Sequence, residues 1–257
     1  MKEICQDVTN GNDYLYTAEI SDVLTSAESV QLFGLDACFM STVEFAYQFR
    51  NDSSNTGFKA DIMVASAPTE TAYGWDYDAI LNRHQNRPGD NGETDVTVGG
   101  YELYYDPASL AAQDLGAIIV EEQRDSTSSM SGQSLTCIDL SKVKAVKDAV
   151  DNLAKAIVGK QNDIESLRGS GTSVSMLHFF AETNSSYTPV ASNTWVASPY
   201  FDLYSLANSI AVSGQETTYS VTLRSAIDDM VLYSFGNSTY TGFIEGKSGV
   251  HIFFPDG

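Results

Sequence analysis

Cys38 is the residue of this chain whose type and position could do chemistry. It ends a short, mostly apolar run, VQLFGLDAC from Val30 to Cys38, which is typical of a buried strand of a parallel sheet, and a helical pattern begins at Ser41. Open α/β sheets bind ligands where a strand gives way to a helix, and a nearby helix N-terminus lowers the pKa of a thiol. Two interpretations stand at this point: a nucleophilic thiol, or a buried cysteine that acts as a small hydrophobe.

A thiol nucleophile needs a base within hydrogen-bond reach, usually a histidine. The chain has three histidines, and each has an ordinary structural explanation. His84 ends a predicted helix, His178 lies among apolar neighbours in SMLHFF, and His251 alternates in the predicted strand GVHIFF. None of the three lies in a glycine-rich setting that would also supply oxyanion donors.

The remaining cysteines are interpreted as structural. Cys137 alternates with apolar neighbours in SLTCIDL, and Cys5 lies close to a chain end. Three cysteines are an odd and sparse set without the pairwise spacing of a zinc site, so at least one thiol is free within the chain.

The composition excludes several classes of protein. The 257 residues include 34 Asp and Glu against 14 Lys and Arg, a formal net charge of −20, which makes binding to a phosphate backbone unfavourable. The hydrophobic fraction of 42% is typical of globular proteins. No apolar run approaches the roughly 18 residues of a membrane span, and the first residues lack the apolar stretch of a secretory signal. The sequence therefore predicts a folded protein that does not bind nucleic acid.

Strand and helix patterns alternate along the chain. Strands are predicted at residues 30–38, 61–67, 134–140, 231–235 and 249–254, and helices at 41–50, 77–84, 106–124, 141–158, 199–210 and 217–230. Asp106 is the predicted cap of the third helix, with Pro107 at its first position. Residues 87–100 are predicted to form an exposed loop. The three carboxylates of residues 90–95 are a weak cation-site candidate, because they lack EF-hand spacing. The alternation predicts one α/β domain, with a parallel sheet covered by helices on both faces and an elaborated second half.

Many separate segments, in order, are similar to the clostripain family, the C11 cysteine peptidases of the caspase-like clan. They include ICQD, LDAC followed by FMSTVEFAYQFR, FKADIMVAS, VEEQRDST, MLHFF and GVHIFFPDG, and together they cover close to the whole chain. The resemblance implies a caspase-like α/β/α sandwich with a mostly parallel central sheet. It also implies that residues 1–257 are a single peptidase domain from which the N-terminal part of the fold is missing.

The resemblance implies an endopeptidase that cleaves after Arg and, less well, Lys. Cys38 occupies the position of the family's nucleophile, and Asp36 that of the acid thought to read the basic side chain. Alternation along a strand would place Asp36 and Cys38 on the same side. Glu70 and Asp76, in the loop after the second strand, are expected to line the same pocket.

The resemblance also predicts what this chain lacks. Family members carry the catalytic histidine on a strand upstream of the nucleophile, in a light segment that self-cleavage separates from the heavy segment, and this chain begins where the heavy segment would. We therefore expect a light-segment partner, no activity from this chain alone, and peptides with Arg or Lys as substrates. The resemblance further implies a secreted or cell-surface bacterial protein, and calcium dependence to which no residue is assigned. The alternative is a non-catalytic module that binds basic peptides through its acidic surface.

Overall fold

The computed structural model describes residues 3–9, 11, 13–71, 73–85, 96–98, 101–103, 110–167, 169–170, 173–174, 176–179 and 200–254. The strands of this part of the chain are β1 Glu3–Asp7, β2 Asp13–Tyr16, β3 Val30–Leu35, β4 Ala60–Ala65, β5 Val96–Val98, β6 Tyr101–Leu103, β7 Ser134–Asp139, β8 Gly169–Ser170, β9 Ser173–Val174, β10 Tyr200–Asp202, β11 Val231–Gly236 and β12 His251–Phe253. The α-helices are α1 Thr17–Val23, α2 Val43–Gln48, α3 Tyr77–Gln85, α4 Ala112–Ser126, α5 Val143–Ala156, α6 Gln161–Ser166, α7 Leu203–Val212 and α8 Thr218–Met230, with a 3₁₀ turn at Ser26–Glu28.

The main sheet of the described residues has four strands in the order β11-β7-β4-β3. β3 and β4 pair in parallel, with Leu35 opposite Ala65, whereas β7 pairs antiparallel with both β4 and β11. Three of the four strands therefore run in one direction and β7 runs against them. The sheet is mixed rather than uniformly parallel, because β7 enters from the opposite end.

Strand alternation divides the hydrophobic core into two clusters, one on each face of the sheet. Met63 and Ala65 of β4 pack in a cluster with buried residues of α2, α5, α7 and α8. Ile62 and Val64 of the same strand pack in a second cluster with Ile118 and its neighbours in α4. Each fully buried Val, Ile or Met side chain contributes about 1.5–3 kcal/mol relative to exposure. The result is a sandwich of helices, sheet and helices, as predicted.

The helix with the strongest periodicity lies close to its predicted place. α5 buries Val143, Val146 and Leu153 against the sheet. On its exposed face, lysines pair with aspartates four residues later, as in the pair Lys147 and Asp151. Such exposed pairs contribute only about 0.3–0.5 kcal/mol, so apolar burial fixes this helix.

Three predicted boundaries are wrong. The first strand ends at Leu35 rather than at Cys38, and α4 is capped by Ala111 and begins at Ala112. Asp106 and Pro107, the predicted start of α4, lie outside the described residues, as do most of loop 87–100 and all of residues 90–95. Residues 200–202 form β10, which pairs antiparallel with β12, and the helix predicted from residue 199 begins only at Leu203. Long-range pairing overrides the local helical pattern there.

Within the described sheet, β3 is an edge strand rather than the central strand that the apolar run predicts. It pairs with β4 on one side, and no described strand pairs with its other side. An edge strand presents unpaired backbone N–H and C=O groups that can accept a further strand. β3 is therefore a place where the sheet can be extended.

The closest approach of α4 to the sheet depends on Gly116. A Cβ at this position would lie 2.5 Å from Cys137 Sγ of β7 and 3.4 Å from methyl groups of Ile62 and Val64. Cys137 is fully buried, and that burial raises the pKa of its thiol, as expected for a structural cysteine. The helix can pack this closely only because residue 116 has no side chain.

We predict that Gly116→Ala destabilises the protein by about 1–3 kcal/mol, the usual cost of overpacking, although alanine normally favours a helix. Urea unfolding measures the change. Gly57→Ala is the matched control, because a Cβ there meets only Asn55 Oδ1 at 3.6 Å. The double variant Gly116→Ala/Cys137→Ala should lose less stability than the two single variants predict. Additive losses would contradict this account of the contact.

Candidate active site

The turn after β3 sets the position of Cys38. Phe39 has a φ of 59°, a left-handed conformation that is rare for a bulky residue. Hydrogen bonds to the segment after β4 hold the turn: Phe39 N–H donates to Pro68 O and Ser41 N–H to Ser66 O, both at 2.9 Å. Because β3 has already ended, strand alternation does not place Asp36 and Cys38 on one side. Both instead contact the loop that follows β4.

Helix α2 begins five residues after the cysteine. Thr42 is its N-cap, and its Oγ1 accepts a hydrogen bond from Phe45 N–H at 3.0 Å. Phe45 and Ala46 of this helix are buried in the core. The strand, turn and helix predicted around Cys38 are therefore present.

Cys38 is half-buried and is not enclosed on all sides by protein. The backbone N–H of Glu70 donates a hydrogen bond to its Sγ at 3.2 Å. The carbonyl oxygen of the same residue lies 4.0 Å from Sγ, within reach of a long hydrogen bond from the thiol. This backbone contact fixes the sulfur at the junction of the two loops.

Asp36 is exposed, and its carboxylate is held from one side. Its Oδ2 accepts hydrogen bonds from Trp75 N–H at 3.1 Å and from Tyr77 Oη at 3.0 Å. Its Oδ1 has no hydrogen-bond partner among the described residues. Burial, together with the bond to Asp36, raises the pKa of Tyr77 to about 12, so the phenol stays a donor at neutral pH. Asp36 is therefore oriented and still has an acceptor to offer.

Glu70 places a second carboxylate near the first. Its Oε1 accepts a hydrogen bond from Gln123 Nε2 at 2.6 Å, and its buried Oε2 has no hydrogen-bond partner among the described residues. Burial raises the pKa of Glu70 to about 7, and the nearby charge of Asp36 adds to the effect. The Ser66 hydroxyl and the Gln123 amide act in the opposite direction. A cation beside Glu70 would favour its ionised form.

Asp76 has a local structural role. Its Oδ1 accepts a hydrogen bond from Ala79 N–H at 3.1 Å at the start of α3. The structure thus brings Asp36, Cys38 and Glu70 together, whereas it shows Asp76 as a helix cap. That Asp76 also lines the pocket stays a prediction.

The described histidines have structural surroundings. The backbone N–H of buried His251 donates to Ser41 O at 2.9 Å, and its ring lies edge-on to Tyr200 with centroids 5.2 Å apart. His178 Nδ1 lies 3.4 Å from Met176 O, and burial lowers the pKa of its imidazole. The side chain of His84 lies outside the described residues. Within the described chain, the hydrogen-bond partner of Cys38 is Glu70, and no imidazole is bonded to it.

An aromatic wall stands beside the turn. The rings of Phe39 and Tyr200 stack with centroids 6.2 Å apart, and Tyr200 in turn contacts Phe253. A groove of about 390 Å³ opens next to this wall and is lined by Thr17, Thr42, Glu44, Phe45, Gln48, Tyr200 and Phe253. Asp36, Cys38 and Glu70 are not among the lining residues, so this groove is separate from the pair of carboxylates.

The described residues contain no group of three or more His, Cys, Asp or Glu side chains that could hold a metal ion. Calcium therefore stays an expectation from the family resemblance, with no residue assigned to it. No helix in the described ranges has the length and apolar character to cross a membrane.

The whole chain, residues 1–257, matches the family model for C11 peptidases, the clostripain family. The chain belongs to the clostripain family. Clostripain of Hathewaya histolytica is 41% identical over 269 aligned residues, a match that covers 100% of this chain and 49% of that protein. The resemblance in the sequence is confirmed, and the chain spans about half the length of this curated relative.

Solved structures of C11 proteases share the fold. A secreted C11 cysteine protease from Bacteroides thetaiotaomicron, in complex with an irreversible peptide inhibitor, has a TM-score of 0.59 at 17% identity, over 97% of this chain and 59% of that one. A cysteine protease of B. fragilis has a TM-score of 0.54 at 17% identity, over 97% of this chain and 88% of that one. At this identity the likeness shows the fold alone. The predicted caspase-like α/β fold is confirmed.

Sequence reasoning missed Gln123, Trp75 and Tyr77 as neighbours of the carboxylates. Gln123 lies 53 residues from Glu70, in the last turn of α4, so no local pattern links the two. Gly74, in the segment GWDY, is a sequence signal for a close approach between this loop and another group. Gly74 has a φ of +69°, and a Cβ there would lie 2.5 Å from Asp36 Oδ2.

We predict that Gly74→Ala destabilises the protein by at least about 1 kcal/mol more than Gly159→Ala. Gly159 has a comparable φ of +86° but no atom within 4 Å of the added Cβ, so it isolates the backbone cost. The difference then reports the contact with Asp36. Urea unfolding of both variants measures it, and equal losses would show that the Gly74 backbone does not pack against this carboxylate.

Proposed function

We propose that this chain carries the nucleophile of a cysteine endopeptidase that cleaves after Arg and, less well, Lys. The observation that supports this most directly is the arrangement of Cys38 beside two carboxylates, Asp36 and Glu70, in a member of the clostripain family. A thiol supplies the covalent chemistry, and the carboxylates supply a preference for a cationic side chain. Clostripain and the solved C11 proteases support the reaction class.

The reaction would follow the general course of cysteine peptidases. The thiol of Cys38 gives its proton to a histidine, and the sulfur forms a bond to the scissile carbonyl carbon. The C–N bond then breaks as the histidine returns the proton to the leaving amine, which leaves a thioester. Attack by water releases the new carboxylate and restores the thiol. This chain would provide the sulfur and its position, and the histidine would come from a preceding segment.

The two carboxylates support the preference for arginine. Asp36 Oδ1 is open while neutral donors hold Oδ2, and Glu70 Oε2 has no hydrogen-bond partner among the described residues. A guanidinium can pair with a carboxylate through two parallel hydrogen bonds, whereas an ammonium acts as a point charge. Arg is therefore the better substrate and Lys the weaker one. Asp76, as the cap of α3, fixes the start of the helix that carries Tyr77.

The edge of β3 to which no described strand is paired supports a partner segment. A strand paired there would extend the sheet by backbone hydrogen bonds and would end close to the turn that carries Cys38. A light segment with its histidine at the end of such a strand would bring the imidazole to the thiol. Secretion belongs to the same proposal and is supported by the secreted C11 protease of Bacteroides thetaiotaomicron. Self-cleavage between the two segments is proposed from the family resemblance.

A second candidate function is that of a binding module for basic peptides. The observations that favour it are the net charge of −20 and the lack of an imidazole bonded to Cys38 within the described chain. Such a module would hold arginine side chains in the same pocket without cleaving the peptide. The two candidates differ in whether a histidine reaches Cys38.

We predict that the pure 257-residue chain does not hydrolyse arginyl peptide substrates. Loss of the base from a nucleophile and base pair costs on the order of a millionfold in turnover. Turnover should return when the light segment that this proposal requires is supplied in trans, and it should vanish again when the histidine of that segment is changed to alanine. Steady hydrolysis by the chain alone would contradict this, and no recovery with the segment would favour the binding module.

We predict that Asp36→Asn lowers the ratio of arginyl to leucyl peptide turnover in the complete enzyme by at least about 30-fold. Asp36 is exposed in the free chain, but a bound guanidinium would cover it, and truncating one partner of a charge pair that binding buries costs about 2–5 kcal/mol. Asparagine keeps the acceptor for Trp75 N–H and Tyr77 Oη but turns an amide group toward the substrate cation. The rate at which iodoacetamide alkylates Cys38 should change little, which serves as the control for an intact thiol. An unchanged ratio would mean that Asp36 does not read the charge of the substrate.

A further inference from the structure

We infer that Gln123 is a positioning residue for the basic-residue pocket, where it holds the Glu70 carboxylate beside Asp36 and preserves the negative charge that attracts a substrate cation. The inference rests on the proposed function, because it concerns the pocket that would receive Arg or Lys. It assigns a role to a residue that is distant from the pocket in sequence and makes no contact with Cys38.

The contact is specific and buried. Gln123 is 1% exposed, and its Nε2 donates to Glu70 Oε1 at 2.6 Å. Its own Oε1 is buried without a hydrogen-bond partner among the described residues. A buried amide that leaves one half of its hydrogen-bonding capacity unused carries a free-energy cost. The cost is explained by the amide nitrogen, which holds the Glu70 carboxylate in the site.

The residue type suits this role. A Lys or Arg at position 123 would donate to Glu70 but would neutralise it and repel a cationic substrate. An apolar residue would leave Oε1 of Glu70 buried and unpaired. An amide donates without adding charge, so it fixes the carboxylate and preserves its negative charge.

The neighbours of Gln123 fix the helix that carries it. Arg83 of α3 pairs with Glu121 at 2.7 Å and with Glu122 at 2.5 Å. Helix α3 begins at Tyr77, whose hydroxyl holds Asp36. The same pair of helices thus positions both carboxylates, while Arg83 is engaged by acids of α4.

The groups that face Glu70 determine how its charge depends on pH. Asp36 disfavours ionisation, whereas the hydrogen bonds of Ser66 and Gln123 favour it. Burial raises the pKa of the Tyr77 and Tyr240 phenols, and the negative charge of Glu70 raises it further. Neither phenol is therefore an anion at neutral pH. Glu70 loses its charge as the pH falls through about 7. Removal of the Gln123 bond should raise that midpoint, because the bond stabilises the ionised form.

The test uses this chain alone and needs no peptidase activity. Cys38 reacts with aminoethyl methanethiosulfonate, a cation, and with methyl methanethiosulfonate, which is neutral. In both reactions the reagent sulfur bonds to Sγ and methanesulfinate leaves, so the ratio of the two rates cancels the ionisation of the thiol and reports the local charge. A Cys5→Ser background removes one other thiol, Cys137 is fully buried, and peptide mass mapping identifies the modified residue.

We expect the rate ratio of the parent chain to rise with pH, with a midpoint near 7, and Glu70→Gln to abolish that rise. Gln123→Met should move the midpoint upward by about one pH unit, the effect of losing one hydrogen bond to a charged group. Gln133→Met is the matched control, since this buried glutamine contacts Ser131 rather than Glu70. Gln123→Glu keeps the side-chain volume and adds a second negative charge beside Glu70, so it should also raise the midpoint. This variant is the substitute test if Gln123→Met does not fold.

The outcomes separate the two proposals. A parent chain that prefers the cation, with a folded Gln123→Met or Gln123→Glu variant that has the parent midpoint, would overturn the role of Gln123 alone. A parent chain with no preference for the cation at any pH would overturn the pocket itself, and the role of Gln123 with it. An upward shift in the Gln123 variants, absent in Gln133→Met, would support the inference.

Discussion

The hydrogen bond from Glu70 N–H to Cys38 Sγ joins the two loops on which the site depends. It is possible because β3 and β4 pair in parallel, with Leu35 opposite Ala65, so both strands end at the same edge of the sheet. The turn after β3 then carries Asp36 and Cys38, and the loop after β4 carries Glu70. A shift of one residue in this register would turn the core residues of β4 to the wrong face. The same apolar alternation that builds the core therefore fixes the distance between the thiol and the carboxylate.

The charges of the site are arranged by uncharged donors. Backbone Trp75 N–H and the Tyr77 hydroxyl hold Asp36, and the Gln123 amide holds Glu70. The nearby cation Arg83 pairs with acids of α4. Two carboxylates left without a cation in a partly buried place are unfavourable for folding, as functional sites often are. Under the proposed function, the stability lost there would become affinity when a substrate cation supplied the missing charge.

Much of the fold could be predicted from the sequence, and the site could be predicted in part. The periodicity of α5 and the apolar runs of β3 and β4 are local signals, and the structure follows them. The strand at residues 200–202 could not be predicted locally, because it exists only by pairing with β12. Cys38 stood out through its place after a strand, whereas Gln123 reaches Glu70 only because α4 packs on the sheet without a side chain at Gly116. Contacts of that kind depend on packing between elements, which no single segment encodes.

A buried polar network holds the turn through Ser41. Ser41 Oγ donates to Gly249 O at 2.7 Å, and Gly249 N–H donates to the fully buried carboxylate of Asp202 at 2.8 Å. Asp202 also accepts from Ser205 N–H at 2.8 Å and so caps α7, while burial raises the pKa of this carboxyl to about 7. Phe39, in its left-handed conformation, therefore lies between two sets of hydrogen bonds, one to the segment after β4 and one to Gly249. These hydrogen bonds hold the strained backbone in place. Both sets are formed within this chain. The orientation of Cys38 is thus set within this chain, which is what the proposed nucleophile would need if its base came from another segment.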